Sequence, residues 1–236
     1  MRRISAFAAG LALAACPAAA ERWTGRIATY YWKTGLALDS TLQGAPVEDY
    51  EGPFSEIGWY ALPLVGELRK GRHSLWAEYI GVSISDQAGP YFGILDPDMR
   101  LYGNMAALSY GYAFHDSPTK RAELVAGARY WNVNFDIELG SAGQVRTSER
   151  DTVPFVGVYG EAALSDRWQL AGTLTAGGYS AGVIETQFDL RVDARYRLRG
   201  GVWATAGYRH LQVGFDDPEL SELRIFGPTL GLEWHF

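Results

Sequence analysis

The chain has 236 residues, 28 of them glycine, with 14% aromatic residues and a formal charge of −6 at neutral pH. That length suits one β domain, because barrels of this size are ordinarily single domains. The acidic balance argues against a nucleic-acid partner, whose phosphates recruit clustered lysine and arginine.

At the N-terminus, Arg2 and Arg3 form a basic region, Ile4 to Ala15 an apolar one, and Ala18-Ala19-Ala20 an A-x-A site before Glu21. The pattern predicts a secretory signal peptide over 1–20 and a mature domain over 21–236. The apolar run is too short for a transmembrane helix, and no second run follows. Leu13-Ala14-Ala15-Cys16 also fits a lipobox, which would make Cys16 a lipidated first residue. Pro17 sits badly beside a lipidated cysteine, so cleavage after Ala20 is the expectation. Cys16 then leaves with the signal, and disulfides, thiolate metal sites and a cysteine nucleophile leave with it. Losing Arg2 and Arg3 takes the formal charge to −8.

Ten segments with period-two alternation follow, at about 24–40, 59–69, 73–86, 99–115, 120–139, 152–165, 168–181, 184–199, 201–215 and 223–236. The clearest runs from Thr186 to Arg199. Thr186, Phe188, Leu190, Val192, Ala194, Tyr196 and Leu198 make its apolar face; Gln187, Asp189, Arg191, Asp193, Arg195, Arg197 and Arg199 make its polar one. A helix would smear those charges around its circumference. In the 120–139 segment the phase flips: Leu124, Ala126, Ala128 and Tyr130 are even, whereas Val133, Phe135 and Ile137 are odd. Either a bulge lies near Trp131-Asn132 or the strand leaves a membrane there; the second is favoured, with Tyr130 and Trp131 as girdle aromatics.

The connections fall into two classes. Lys70-Gly71-Arg72, His115 to Thr119, Ser165-Asp166-Arg167 and Arg199-Gly200-Gly201 are short turns. Between them lie mostly longer polar connections at 41–58, 87–98, 140–151 and 216–222; 181–183 is the short exception. Tight turns at one end and long loops at the other are the pattern of an outer-membrane barrel. The last strand agrees. Phe236, Trp234, Leu232 and Leu230 share one face; His235, Glu233, Gly231 and Thr229 share the other. The reading is an all-β, antiparallel, up-and-down transmembrane barrel of ten strands. The alternative is eight strands, with 24–40 and 59–69 as a plug or periplasmic element.

Phe54-Ser55-Glu56-Ile57, Gly127-Ala128-Arg129-Tyr130-Trp131, Gly177-Gly178-Tyr179, Gly207-Tyr208-Arg209-His210 and Gly227-Pro228 occur in order before the terminal strand. With that order and spacing the chain resembles a family of proteobacterial outer-membrane β-barrel proteins of about this length. The resemblance implies a Gram-negative outer-membrane location. It also implies recognition by the barrel-assembly machinery through Gly231, Trp234 and Phe236. Outer-membrane lipid and lipopolysaccharide are the other expected partners. The family brings no assigned activity, catalytic residue or cofactor. His210 stands where similar proteins often carry another aromatic.

In-phase charges predict a lumen cluster of Arg129, Glu161, Asp189, Arg191, Asp193, Arg195, Arg209 and Glu233. Small barrels fill their interiors with side chains, and buried charges demand partners. A structural or envelope-interaction barrel with a filled lumen is therefore the first reading. The alternatives are a narrow pore for small polar solutes and a hydrolase with an outer-rim site of His210, Asp216 and Asp217. His115-Asp116-Ser117 resembles the His-x-Ser element of lipid A deacylases, but the topology puts it in a periplasmic turn. The acidic loops, with Glu48, Asp49, Glu51, Asp96, Asp98 and Glu219, offer hard oxygen ligands for cations shared with lipopolysaccharide, yet match no defined calcium loop. No metal site or cofactor is expected.

Overall fold

The computed structural model describes residues 22–42, 45–51, 58–61, 63–87, 98–138, 144–178, 182–216 and 220–236. The expected signal peptide and the lipobox, the Phe54-Ser55-Glu56-Ile57 motif, and the loop acids Asp96, Asp217 and Glu219 lie outside the described residues, as do the side chains of Glu48, Asp49, Glu51 and Asp98. Among the described residues thirteen strands occur in chain order: β1 (Thr24–Trp32), β2 (Gly35–Leu42), β3 (Ala45–Glu51), β4 (Gly58–Ala61), β5 (Leu64–Lys70), β6 (His73–Gln87), β7 (Asp98–Asp116), β8 (Lys120–Glu138), β9 (Gln144–Ala163), β10 (Trp168–Gly178), β11 (Ile184–Arg197), β12 (Val202–Phe215) and β13 (Leu220–His235).

Each strand from β5 to β12 pairs antiparallel with its successor, and β1 pairs with both β5 and β13, closing the sheet. β1 and β2 form one wall, as do β4 and β5, so the barrel has ten staves with β3 paired to β2 as a hairpin arm. The eight-strand alternative is thereby corrected: residues 24–40 and 59–69 are wall, and closure depends on them. Pairing of β1 with β5 and β13 leaves no edge at that level of the barrel, while β4 pairs with β6 alone among the described residues. β3 is an edge, and it carries Pro46 and three acids, features that oppose strand addition.

Two local breaks have identifiable causes. Between β1 and β2 the opposite strand carries Pro228, which has no amide to donate; its carbonyl instead accepts from the Lys33 amide at 3.0 Å. Beside it Gly227 adopts φ 151°, and a Cβ there would collide with the Lys33 carbonyl. At the opposite end Gly200 and Gly201 take φ 60° and 81°, with the Val202 amide donating to the Arg199 carbonyl at 3.0 Å. Two successive left-handed residues make the mirror-image turn whose twist matches the flanking strands.

The alternation follows the sequence in phase. Ile27, Leu68, Leu75, Leu108, Leu124, Val156, Leu170, Leu190, Leu230 and Leu232 face outward and are exposed. Their neighbours one residue away face the interior. β8 keeps its register with β7 and β9 without a break from Glu123 to Glu138, so no bulge lies at Trp131-Asn132. What changes there is the environment. Below that level the interior is charged; above it the interior is apolar, and odd residues become the hydrophobic ones. Trp131 is accordingly no girdle residue: it points inward and is buried, while Tyr130 remains outside.

Two regions read as loops are strands. β9 begins at Gln144, not near 152, and β2–β3 extends through residues assigned to the 41–58 connection. Both segments are rich in polar residues. A strand that projects beyond an apolar medium needs no lipid face, and its alternation loses the contrast that marks a membrane strand.

Candidate functional site

The interior is zoned along the barrel axis. At the long-loop end, Trp32, Trp131, Val153, Leu211, Phe215 and Leu223 belong to one buried apolar cluster. Beneath it lie two groups of ion pairs, each built from strands far apart in sequence.

The upper group centres on Arg209 of β12. Its guanidinium donates to Asp189 of β11 at 2.9 and 2.6 Å and to Glu78 of β6 at 2.7 and 3.1 Å. Both contacts use the forked geometry that suits guanidinium to carboxylate. Arg209 also donates to the Tyr30 hydroxyl at 2.5 Å, and its guanidinium carbon lies 5.2 Å from the centre of the Trp32 ring. Arg129 of β8 reaches Asp189 at 2.8 Å and the Gln187 side-chain carbonyl at 3.2 Å. Arg191 meets Asp193 at 2.7 Å and stacks over Tyr30 at 4.0 Å.

The lower group spans β1, β5, β9, β11 and β13. Arg26 bridges Glu67 at 2.5 Å and Glu233 at 3.1 Å. Arg69 contacts Glu67 and forks onto Glu161 at 2.5 and 3.1 Å. Arg195 lies 3.3 Å from Glu161 and 3.2 Å from Glu233. Nearby, Arg121 pairs with Glu123, which also accepts from the Ser74 hydroxyl at 2.6 Å.

Every one of the eight expected lumen residues thus reaches the interior. Sequence reasoning missed six charged partners: Arg26, Glu67, Arg69, Glu78, Arg121 and Glu123. Each lies on the inward phase of its strand, so the signal was present. In β1 and β5 it was hidden by short, interrupted alternation. With these added, seven arginines and seven carboxylates of the interior are joined in ion pairs among the described residues.

Between the two groups a cavity of about 90 Å³ remains, lined on one side by Val65, Trp76, Val125 and Phe155. At roughly 10–15 Å³ of such space per water, it holds a handful of solvent molecules. A wider recess of about 420 Å³ lies at the tight-turn end, where His235 contacts Glu233 at 3.0 Å and stacks on Trp203 at 5.2 Å.

Of the outer-rim trio, His210 and Asp216 are not brought together, and Asp217 lies outside the described residues. His210 faces outward, its ring 6.1 Å from Phe226 and 6.3 Å from Phe188. Asp216 is exposed beyond the end of β12, roughly 20 Å from His210 along an extended strand, and its amide donates to the Val183 carbonyl. That separation exceeds the reach a general base requires. Replacing His210 by phenylalanine should change stability in lipid vesicles by no more than about 0.5 kcal/mol, because a ring is kept on a face of rings. A larger loss in urea unfolding would reveal a polar partner for the imidazole. Among the described residues no group of three or more His, Cys, Asp or Glu side chains is placed to hold a metal.

The terminal residues sit where closure happens. The Gly25 amide donates to the Phe236 carbonyl at 2.8 Å, and the Phe236 amide donates back to Gly25 at 2.9 Å. Trp234 and Phe236 face outward with ring centres 5.1 Å apart. Gly231 lies against Tyr30, where a Cβ would strike that strand.

No protein family matches the sequence, and no curated protein is similar enough in sequence to count as a relative. Solved structures are similar in fold. The outer-membrane protease OmpT of Escherichia coli aligns at TM-score 0.57 and 14% identity, over 91% of this chain and 96% of that one. The translocator domain of the autotransporter NalP from Neisseria meningitidis aligns at 0.49 and 15%, over 93% and 90%. Ail, the attachment invasion locus protein of Yersinia pestis, aligns at 0.41 and 9%, over 91% and 99%. At such identities the likeness to OmpT speaks for the fold alone, and the fold is a closed antiparallel barrel of ten staves.

Proposed function

We propose that this protein is an integral barrel of a bacterial outer membrane, exported through a cleaved signal peptide, with a structural or envelope-interaction role. The observation that carries the reading is the seven-to-seven pairing of inward arginines and carboxylates beneath an apolar end cluster. A conducting pore needs a continuous wet path, and side chains that neutralise one another across the lumen occupy that path. The outer face supports the location: tyrosines and tryptophans flank an apolar belt free of charge among the described residues, as at a bilayer boundary.

The decisive experiment has two stages. Outer-membrane fractionation and heat-modifiable gel migration should both mark the protein as a folded membrane barrel; a soluble periplasmic product would defeat the reading. In planar bilayers the refolded protein should then give no stable current. Reproducible conductance steps would instead establish a narrow pore for small polar solutes.

A further inference from the structure

The end of the barrel that bears the tight turns is strongly basic. Arg22, Lys70, Arg72, Lys120, Arg167 and Arg199 are all exposed there, with Arg197 at the lumen mouth over Trp203, against Asp116 and Asp166. Asp116 is already paired with Arg121 at 2.9 Å. At the opposite end, residues 41–57, 88–97 and 216–219 contain eight acids, from Glu48 to Glu219, and neither lysine nor arginine, while in 144–151 Arg146 and Arg150 balance Glu149 and Asp151. Since the lumen is balanced, the asymmetry belongs to the two rims.

The basic rim adjoins outward aromatics. Trp23, Trp168, Trp234 and Phe236 are each about half exposed at this end. The Lys70 ammonium lies 5.5 Å from the centre of the Trp23 ring, and Arg167 donates to the Tyr196 hydroxyl at 3.2 Å. Tryptophan and tyrosine settle at headgroup depth in a bilayer. Cations held against them therefore stand level with lipid phosphates, where an anionic surface attracts lysine and arginine.

We propose that this rim is a collar for anionic phospholipid headgroups of the phosphatidylglycerol type, in the leaflet that the tight turns face. The proposal rests on the reading of the chain as a membrane barrel. The distribution of charge favours lipid over a protein partner. The cations come from all four tight hairpins and from the start of β1, so they ring the circumference instead of gathering in one footprint. Lipids surround a barrel; a single protein partner docks on one side of it.

The barrel carries its own reporter. Trp23, Trp168 and Trp234 face outward at this rim, whereas Trp32, Trp76, Trp131 and Trp203 face the lumen. Trp59, whose side chain lies outside the described residues, is replaced by phenylalanine for the measurement. The protein is refolded into phosphatidylcholine vesicles containing dibrominated phosphatidylglycerol, and into the mirrored mixture in which the choline lipid is brominated. The ratio of tryptophan quenching gives relative affinity at the collar. Phosphatidylglycerol should be favoured about fivefold. The preference should fall in high salt, which screens exposed charge. It should approach parity when Lys70, Arg72, Lys120, Arg167 and Arg199 are all changed to glutamine. Equal quenching by both lipids in the parent barrel, or a preference unmoved by the glutamine changes, overturns the collar alone. A chain that gives no heat-modifiable band has not inserted, and that result overturns the barrel reading and the collar with it.

Discussion

Replacing Arg209 with methionine should cost about 3–5 kcal/mol, the range for breaking a buried ion pair by removing one partner. Arg209 is 1% exposed and serves two carboxylates at once. Without it, Asp189 keeps Arg129, but Glu78 keeps only the Tyr30 hydroxyl at 3.2 Å. The measurement is reversible urea unfolding in lipid vesicles, followed by the gel shift between folded and unfolded chains. Combining Arg209→Met with Glu78→Gln should recover much of the loss, because the stranded charge is removed too. A cost under about 1 kcal/mol, typical of an exposed pair, would mean that water reaches the lumen freely. That outcome would also weaken the case against conduction, which ties the stability test to the proposed role.

Deleting Phe236 should have the second large effect. It removes both backbone hydrogen bonds to Gly25 and an outward ring at the closing seam. Each hydrogen bond contributes about 0.5–1.5 kcal/mol net, and burial of a large ring in an apolar medium about 1.5–3 kcal/mol. Outer-membrane levels in cells should therefore fall steeply. Refolding into vesicles without any cellular machinery separates the causes. If the truncated chain refolds normally there, the terminus acts as an assembly signal; if it fails in both settings, it acts through closure. Unchanged levels in cells would remove Phe236 from either role. Gly25→Ala is a milder probe of the same seam, since a Cβ at that position lies 2.7 Å from the Phe236 ring.

Much of the fold was legible because a lipid-facing strand is written with strong contrast. From Thr186 to Tyr196 every even side chain that faces out is apolar or aromatic, or is Thr186 at the end, and every odd one is polar. The same contrast placed Arg129, Asp189, Asp193, Arg195, Arg209 and Glu233 inside. It failed where its cause is absent. Residues 146–151 are all polar, since a strand beyond the apolar belt needs no apolar face. Tyr130 beside Trp131 reads as a girdle pair, but adjacency in sequence cannot say on which side an aromatic lies once both faces carry one. Glu78 and Arg26 were in phase yet went unnoticed, because nothing local marks one charge among several as the partner of another 131 or 207 positions away.

The sequence by itself determined the class of the molecule: an antiparallel barrel, the strand phase within the apolar belt, and which end bears the tight turns; ten staves in place of eight came from closure through β1 and β5. Period two and turn chemistry are local properties, and a strand carries them without knowing its neighbours. The tertiary structure alone decided which inward charges meet, that they balance seven to seven, and that an apolar cluster covers them at one end. It also decided that His210 looks outward, away from Asp216. Those facts depend on closure and register, which bring β1 against β13 and β6 opposite β12, and no single strand contains that information.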